Sequence, residues 1–184
     1  DAIKNENIKA SCVILIDDGS TDKTVELAKK FKNLTIFSHK VNRGLGAAVR
    51  TGIKIAKANN ADSLVKIDAD LQHNPKDIKR LLLPIEKDTA DIVYGRRILN
   101  FKTTFIRRVG NFCFSALMRY ITSWDIKDSQ PGLFAVGKDC LSSIKIFGDY
   151  NYTQQVLLSS QLSGMRFKHI DISFSKRFTG GSFV

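Results

Sequence analysis

LVKIDADLQHNPKDIKRLLLPIEKDTADIVYG, residues 64–95, decides the fold. It opens on a β-type run, 64–68, and closes on another, 91–95. Between them 75–86 reads as a helix, with Asn74 as its cap and Pro75 in the first turn, where a missing N–H breaks no helical bond. The alternation extends upstream. Residues 12–17 read as a buried strand, 22–32 as a helix entered through a polar Ser-Thr-Asp turn, 34–38 as a second strand and 44–59 as a helix. Downstream, the spacing predicts a helix over 103–121, a short strand over 133–136, a helix over 151–162 ended by Gly164, and a final strand over 167–174. Strand and helix alternating at these lengths imply a mostly parallel α/β sheet with helices on both faces, which binds ligands beyond the carboxyl ends of its strands.

Composition agrees with one folded domain over residues 1–184. The chain is 43% hydrophobic and 26% charged, with 3 Pro and no low-complexity tract, repeat or linker, which excludes disorder and collagen-like repeats. Cys12, Cys113 and Cys140 are odd in number and widely spaced, so a zinc site or a disulfide framework is not expected and a reducing compartment is. No apolar run reaches the roughly 18 residues of a membrane span, and the polar start has no signal-peptide character. The net charge is +11, unevenly placed: residues 1–92 hold 16 Lys/Arg against 13 Asp/Glu, and 93–184 hold 13 against 5. An anionic partner for the second half follows, whether nucleic acid, a phosphate-bearing molecule or an acidic membrane; a merely solvated basic face is the alternative.

Two acidic groups stand at strand ends. Asp17, Asp18, Gly19, Ser20 and Asp22 form either a ligand-edge turn or a plain helix cap. Asp68 and Asp70 follow the third strand at i and i+2, so in an extended segment both carboxylates face one way, roughly 7 Å apart. Such hard oxygen donors suit Mg²⁺ or Mn²⁺, which keeps waters and draws other ligands from phosphates. An acidic turn is the bland alternative.

Taken in order, IDDGSTD (16–22), NRGLGAAVRTG (42–52), DADLQHNP (68–75), YGRR (94–97), DSQPGLF (128–134) and KRFTGGS (176–182) resemble the motifs of the family-2 inverting glycosyltransferases. The likeness is closest to dolichyl-phosphate mannose and polyprenyl-phosphate glucose synthases, and it spans almost the whole chain. It implies the GT-A fold, a Rossmann-like three-layer sandwich, with a nucleotide and metal half over 1–97 and an acceptor half over 98–184. The implied donor is a nucleotide-diphospho-sugar of the GDP-mannose or UDP-glucose type, and the implied acceptor a polyprenyl or dolichyl phosphate. By the same resemblance Asp18 binds the base and Asn42, Arg43 and Gly44 border the nucleotide. Asp68 and Asp70 are the DXD pair, with Gln72 as a further ligand to Mg²⁺ or Mn²⁺. Arg97, or Arg96 beside it, reaches phosphate; Asp128 lies near the acceptor, and Arg177 covers the pyrophosphate or the acceptor phosphate. Arg108 joins Arg97 and Arg177 in holding the acceptor phosphate for in-line attack, which Asp128 orients.

The likeness is incomplete at both ends of the argument. The family's opening strand and Tyr-Asn-Glu-like turn have no counterpart before Cys12, and 1–9 read like the end of the following helix. An internal fragment is therefore expected, lacking a first strand and a C-terminal membrane or interface segment. The acidic residue usual after DSQP is replaced by Gln155. From Arg96 to Arg119 six Lys/Arg and no carboxylate interleave with aromatics. That stretch is either a packing helix or an interfacial one lying on an anionic membrane, on its cytoplasmic face. A sugar nucleotidyltransferase would carry an early Gly-rich, Arg- and Lys-bearing loop, and a nucleic-acid module would leave the DXD pair without a purpose. Both stand as alternatives of another class. Transfer to a sugar or glycan acceptor is the alternative within the family, with Asp128 as a true base.

Overall fold

The computed structural model describes residues 10, 12–99 and 105–175, apart from the side chains of 99, 105–108 and 111. Six strands and six helices follow one another there, alternating up to β5: β1 (Val13–Asp17), α1 (Thr24–Ala28), β2 (Leu34–Ser38), α2 (Leu45–Ala58), β3 (Ser63–Lys66), α3 (Lys76–Glu86), β4 (Ile92–Leu99), α4 (Phe105–Thr122), β5 (Phe134–Gly137), α5 (Lys138–Ser143), α6 (Tyr152–Leu162) and β6 (Phe167–Phe174). β1 and β2 pair in parallel, from Val13 with Leu34 to Asp17 with Ser38. The other four strands form one sheet in the order β3-β5-β4-β6. β5 is antiparallel to β3 and to β4, whereas β4 and β6 are parallel. Three strands thus share a direction and β5 alone opposes them, so the start of β5 lies at the edge where β3, β4 and β6 end.

Helices cover both faces of that sheet. Ile92 and Tyr94 face Val49, Ile53 and Ala56 of α2 and Val156 and Leu157 of α6. Val93, between them, faces Ile78 and Leu81 of α3 together with Ala135 and Ile172. All three β4 residues are 0% exposed, as expected of a strand covered on both sides. Each such side chain contributes roughly 1.5–3 kcal/mol by burial. The predicted three-layer α/β arrangement is present.

Four boundaries differ from expectation, each for a local reason. α1 is five residues long rather than reaching residue 32; its bonds tighten to i−3 at Lys30 and Phe31, and Leu27 and Phe31 stay exposed, so little packing holds further turns. β4 runs on to Leu99 because β6 pairs with it over eight residues. α5, six residues directly after β5, is too short to show a helical period. β3 stops at Lys66 and the chain bends over 69–71. The extended geometry expected to aim Asp68 and Asp70 the same way is therefore absent.

Candidate functional site

Where β1 and β2 end, two loops close on each other. Asp17 Oδ1 accepts from the Ser20 N–H at 3.2 Å and turns the first loop. Gly19 has φ +76° and lies so near the second that a Cβ would stand 2.7 Å from Asn42 N. Asp18 holds that second loop, accepting from the Arg43 N–H at 3.1 Å and from the Gly44 N–H at 2.7 Å. Asn42 Oδ1 accepts from the same Gly44 N–H at 3.2 Å. His39 adds a clasp not anticipated from sequence: Nδ1 lies 2.7 Å from Asp18 Oδ1 and Nε2 2.9 Å from Thr51 Oγ1. Burial pushes the Asp18 carboxyl up, but the His39, Arg43 and Gly44 donors outweigh it and hold it below the usual range. Asp18, Asn42, Arg43 and Gly44 thus form one frame.

The acidic pair sits beyond β3. Lys66 Nζ donates to Asp68 Oδ1 at 2.5 Å, to the Gly132 carbonyl at 3.0 Å and to Tyr152 Oη at 3.0 Å. Burial alone would lower the Lys66 pKa, but the Tyr152 hydroxyl and Asp68 carboxylate raise it above its ordinary value. Asp70 Oδ1 accepts from the Gln72 N–H at 3.1 Å. Gln72 Nε2 donates to the Ser175 carbonyl at 3.1 Å, and the Ser175 N–H returns a bond to the Gln72 carbonyl at 3.0 Å. The end of β6 thereby secures the acidic loop.

Gly132, just before β5, lets the Asp68 and His73 side chains pack directly against the backbone. A Cβ there would lie 2.3 Å from Asp68 Oδ2 and 2.4 Å from His73 Nε2. His73 is 5% exposed and its Nδ1 has no partner; burial, chiefly, lowers its pKa, against the opposing pull of Asp68 and Asp70. Its ring meets Phe174 at 5.1 Å, and the Arg97 guanidinium lies over the same Phe174 ring at 5.5 Å. Arg97 forks onto Asp128, Nε to Oδ2 at 2.7 Å and Nη2 to Oδ1 at 3.0 Å. Asp128 Oδ1 also accepts from the Gln130 N–H at 3.1 Å. One continuous set of contacts thus runs from Asp68 through His73, Phe174 and Arg97 to Asp128. Arg96 points elsewhere and pairs with Asp171 at 2.8 Å, so of the two arginines Arg97 is at the site.

The oxygen donors of Asp68, Asp70 and Gln72 are of the hard type that fits a divalent ion such as Mg²⁺ or Mn²⁺ completing its shell with water and phosphate oxygens. No group of three His, Cys, Asp or Glu that could hold a metal alone occurs among the described residues. Arg108 lies on α4 with its side chain outside the described set, and Arg177, with the rest of 176–182, falls outside the described residues, as does the reading of 1–9. Gln155 organises a loop: its Oε1 accepts from the Phe147 and Gly148 N–H groups at 2.8 and 3.1 Å, and its Nε2 donates to the Tyr150 carbonyl at 2.8 Å. A carboxylate could not make that last bond. A pocket of about 270 Å³ between Trp124, Asp125, Lys127 and Phe167 to His169 lies at the starts of β4 and β6, away from the acidic pair.

Two expected results arise from this geometry. Gly132→Ala drives a methyl group into Asp68 and the buried His73, which must shift, so Mn²⁺-dependent nucleotide binding should weaken about tenfold or more and the apo melting temperature should fall by about 2–12 °C. Unchanged metal-dependent binding in calorimetry would remove Gly132 from the site. The second concerns pH. The Lys127 N–H donates to His169 Nε2 at 2.9 Å, and His169 Nδ1 faces the Tyr94 carbonyl at 3.3 Å, so the ring is neutral in this arrangement. Burial lowers its pKa below the ordinary 6.5. The unfolded chain therefore takes up the proton first, and stability falls as pH drops below about 6.5, by up to about 1.4 kcal/mol per unit. His169→Gln should lose less in melting temperature than wild type between pH 7.5 and 5.5; an equal or larger loss would contradict the assignment.

Residues 1–144 match the family model described as glycosyl transferase family 2. The chain is 31% identical over 179 residues to an uncharacterised protein of Methanocaldococcus jannaschii, covering 92% of this chain and 72% of that one. It is 34% identical to UDP-N-acetylglucosamine--dolichyl-phosphate N-acetylglucosaminyltransferase of Methanococcus voltae, covering 70% of this chain and 59% of that enzyme. Among solved structures, glucosyl-3-phosphoglycerate synthase of Mycobacterium tuberculosis, in complex with Mn²⁺, UDP and glucosyl-3-phosphoglycerate, superposes with a TM-score of 0.72 at 17% identity, over 94% of this chain and 62% of that one. The fold is shared at that distance, and the chain spans only about six tenths of the last two proteins.

Proposed function

Because the chain belongs to glycosyl transferase family 2, we propose that it transfers a sugar, with inversion, from a nucleotide-diphospho-sugar of the GDP-mannose or UDP-glucose type to a polyprenyl or dolichyl phosphate at an anionic membrane surface. The observation that carries the acceptor is the Arg97–Asp128 fork. A carboxylate whose oxygens already accept from a guanidinium and a backbone N–H is a poor general base. A phosphate monoester, with its second pKa near 6, is largely dianionic at neutral pH and needs none. A sugar hydroxyl needs one. The name of the Methanococcus voltae relative supports the acceptor class, and the Mn²⁺ and UDP of the mycobacterial complex support the donor and metal classes.

In this reading Asp18 acts largely through its loop, shaping with Asn42, Arg43 and Gly44 the border of the nucleotide. Asp68, Asp70 and Gln72 are the residues that would hold Mg²⁺ or Mn²⁺; when bound, such an ion offsets the charge that grows on the departing diphosphate. Asp128 fixes the Arg97 guanidinium, and Arg97, Arg108 and Arg177 receive the acceptor phosphate, pairs of whose oxygens suit the planar forks of arginine. No helix among the described residues is long and apolar enough to cross a membrane. α4 instead exposes Val109, Phe112, Leu117 and Tyr120, an apolar side suited to lying on a membrane surface.

The test is a labelled-sugar transfer assay with Mn²⁺, offering GDP-mannose and UDP-sugars as donors and either a polyprenyl phosphate in anionic vesicles or a soluble oligosaccharide as acceptor. Label should enter the lipid, and vesicle binding should fade as salt shortens the Debye length from about 10 Å at 0.1 M to 3 Å at 1 M. Transfer to the oligosaccharide with none to lipid phosphate would overturn the acceptor assignment.

A further inference from the structure

His39 ties together three elements that lie apart in the chain. Its backbone N–H donates to the Asp17 carbonyl at 2.9 Å, which carries the pairing of β1 with β2 one residue further. Its side chain is 11% exposed and is gripped at both nitrogens, Nδ1 at 2.7 Å from Asp18 Oδ1 and Nε2 at 2.9 Å from Thr51 Oγ1. Thr51 Oγ1 also reaches the Ala47 carbonyl, in the first turn of α2, at 3.0 Å. A carboxylate oxygen only accepts, so Nδ1 carries the proton in its contact with Asp18. The ring is a strut from the loop after β1 to α2.

That strut holds the carboxylate on which the second loop hangs. Asp18 takes the Arg43 and Gly44 N–H groups on its two oxygens, and α2 has no side-chain cap of its own at Gly44. Those two amides are spent inside the protein. It is the exposed side chains of Asn42 and Arg43 that face a ligand at the edge where β1 and β2 end. Their direction follows the loop, and the loop follows Asp18. Without His39 the carboxylate keeps its backbone donors but loses the side chain that fixes its rotation, and its charge, at the border of a phosphate-bearing ligand, is offset by one donor fewer.

Resting on the glycosyl-transfer reading, we propose that His39 is a positioning residue for the nucleotide-diphospho-sugar: acting through Asp18, it fixes the 42–44 loop in the conformation that borders the nucleotide. Both of its nitrogens are taken up inside the protein, so it acts on the ligand through the loop and not by contact. The Arg97–Asp128 side of the site, on other elements, is left as it is. The two nitrogens make the route separable, because asparagine sets an amide nitrogen where Nδ1 stands and glutamine sets one where Nε2 stands.

The experiment measures GDP and UDP binding by calorimetry with Mn²⁺ present, and the KM for nucleotide-sugar and for lipid phosphate, in wild type, His39→Ala, His39→Asn and His39→Gln. His39→Ala should weaken nucleoside diphosphate binding about tenfold, the worth of one hydrogen bond to a charged group, with the KM for lipid phosphate unchanged within about twofold. His39→Asn should recover binding to within about threefold of wild type, whereas His39→Gln, which keeps only the Thr51 link, should stay near His39→Ala. In an Asp18→Asn background the step from His39 to Ala should shrink to about twofold or less, because the two side chains act as one unit. Wild-type nucleotide affinity in a folded His39→Ala overturns the proposal, as does recovery by glutamine in place of asparagine, or an equal loss for both substrates, which marks general destabilisation. If His39→Ala does not fold, the Asn and Gln variants decide. Absence of nucleotide binding by wild type overturns the glycosyl-transfer reading and this inference with it, whereas unchanged binding in every variant overturns this inference alone.

Discussion

Asp70→Asn removes the gain in melting temperature that Mn²⁺ gives the protein in the presence of GDP or UDP. A ligand at about a hundred times its dissociation constant stabilises by about 2.7 kcal/mol, which for a chain of this size is about 5–10 °C. The substitution should abolish that increment yet leave the apo protein melting within about 2 °C of wild type. Asparagine keeps the Oδ1 that accepts from the Gln72 N–H at 3.1 Å, so the loop's own bond survives. What is lost is the negative charge, which holds a hard cation more strongly than a neutral amide oxygen does. Sugar transfer should fall by about 10²–10³, in the range seen when one stabiliser of developing charge is removed. Scanning fluorimetry with and without Mn²⁺ checks the first part. A mutant that keeps the full Mn²⁺-dependent increment would show that Asp70 does not hold the ion.

The layered fold was legible because β4 is buried on both sides. Ile92, Val93 and Tyr94 form an unbroken apolar run, and such a run next to an amphipathic helix reads as a covered parallel strand. The direction of β5 was not legible. Four residues have no polarity on their own, and their reversal follows from pairing with β3 and β4 at a distance in the chain. α1 failed in the opposite sense: helical spacing was present over 22–32, but Leu27 and Phe31 find no cover, and spacing without burial does not sustain a helix.

At the site, the residues legible in sequence were those with unusual local chemistry, the two aspartates at i and i+2 and the glycine-flanked 42–44 loop. The residues that hold them were not legible, because they meet only through the fold. Lys66 reads as a strand residue, yet its partners Gly132 and Tyr152 lie 66 and 86 positions away. Arg96 and Arg97 show what a period of two can and cannot say. Adjacent strand residues face opposite ways, so one arginine had to leave the site, but only the cross-strand placement of Asp171 beside Arg96 and the approach of Asp128, from the loop before β5, to Arg97 show which. His39 carried a usable signal, a titratable ring at the end of the strand beside the first acidic loop, that motif spacing alone did not weigh.

Removing Arg97 should harm the protein far more than neutralising its partner. Asp128 is 4% exposed and its side chain is matched by the guanidinium fork. Arg97→Ala leaves a buried carboxylate without its counter-charge, a change that typically costs about 3–5 kcal/mol and should lower the melting temperature by about 6–20 °C. Asp128→Asn instead removes the charge and keeps an oxygen for the Gln130 N–H or one guanidinium N–H. Its cost should stay within about 1–3 kcal/mol. The two variants also separate the acceptor chemistries. If the nucleophile is a dianionic phosphate, Asp128→Asn should retain transfer within about tenfold, because no proton has to be removed; a sugar hydroxyl deprotonated by Asp128 should lose about a hundredfold or more. Arg97→Ala, assayed below its melting temperature, should lose acceptor affinity, seen as a raised KM for the lipid phosphate with little change in the KM for the nucleotide-sugar. A hundredfold loss in Asp128→Asn, with nucleotide binding intact, would make Asp128 the base and move the acceptor from phosphate to hydroxyl.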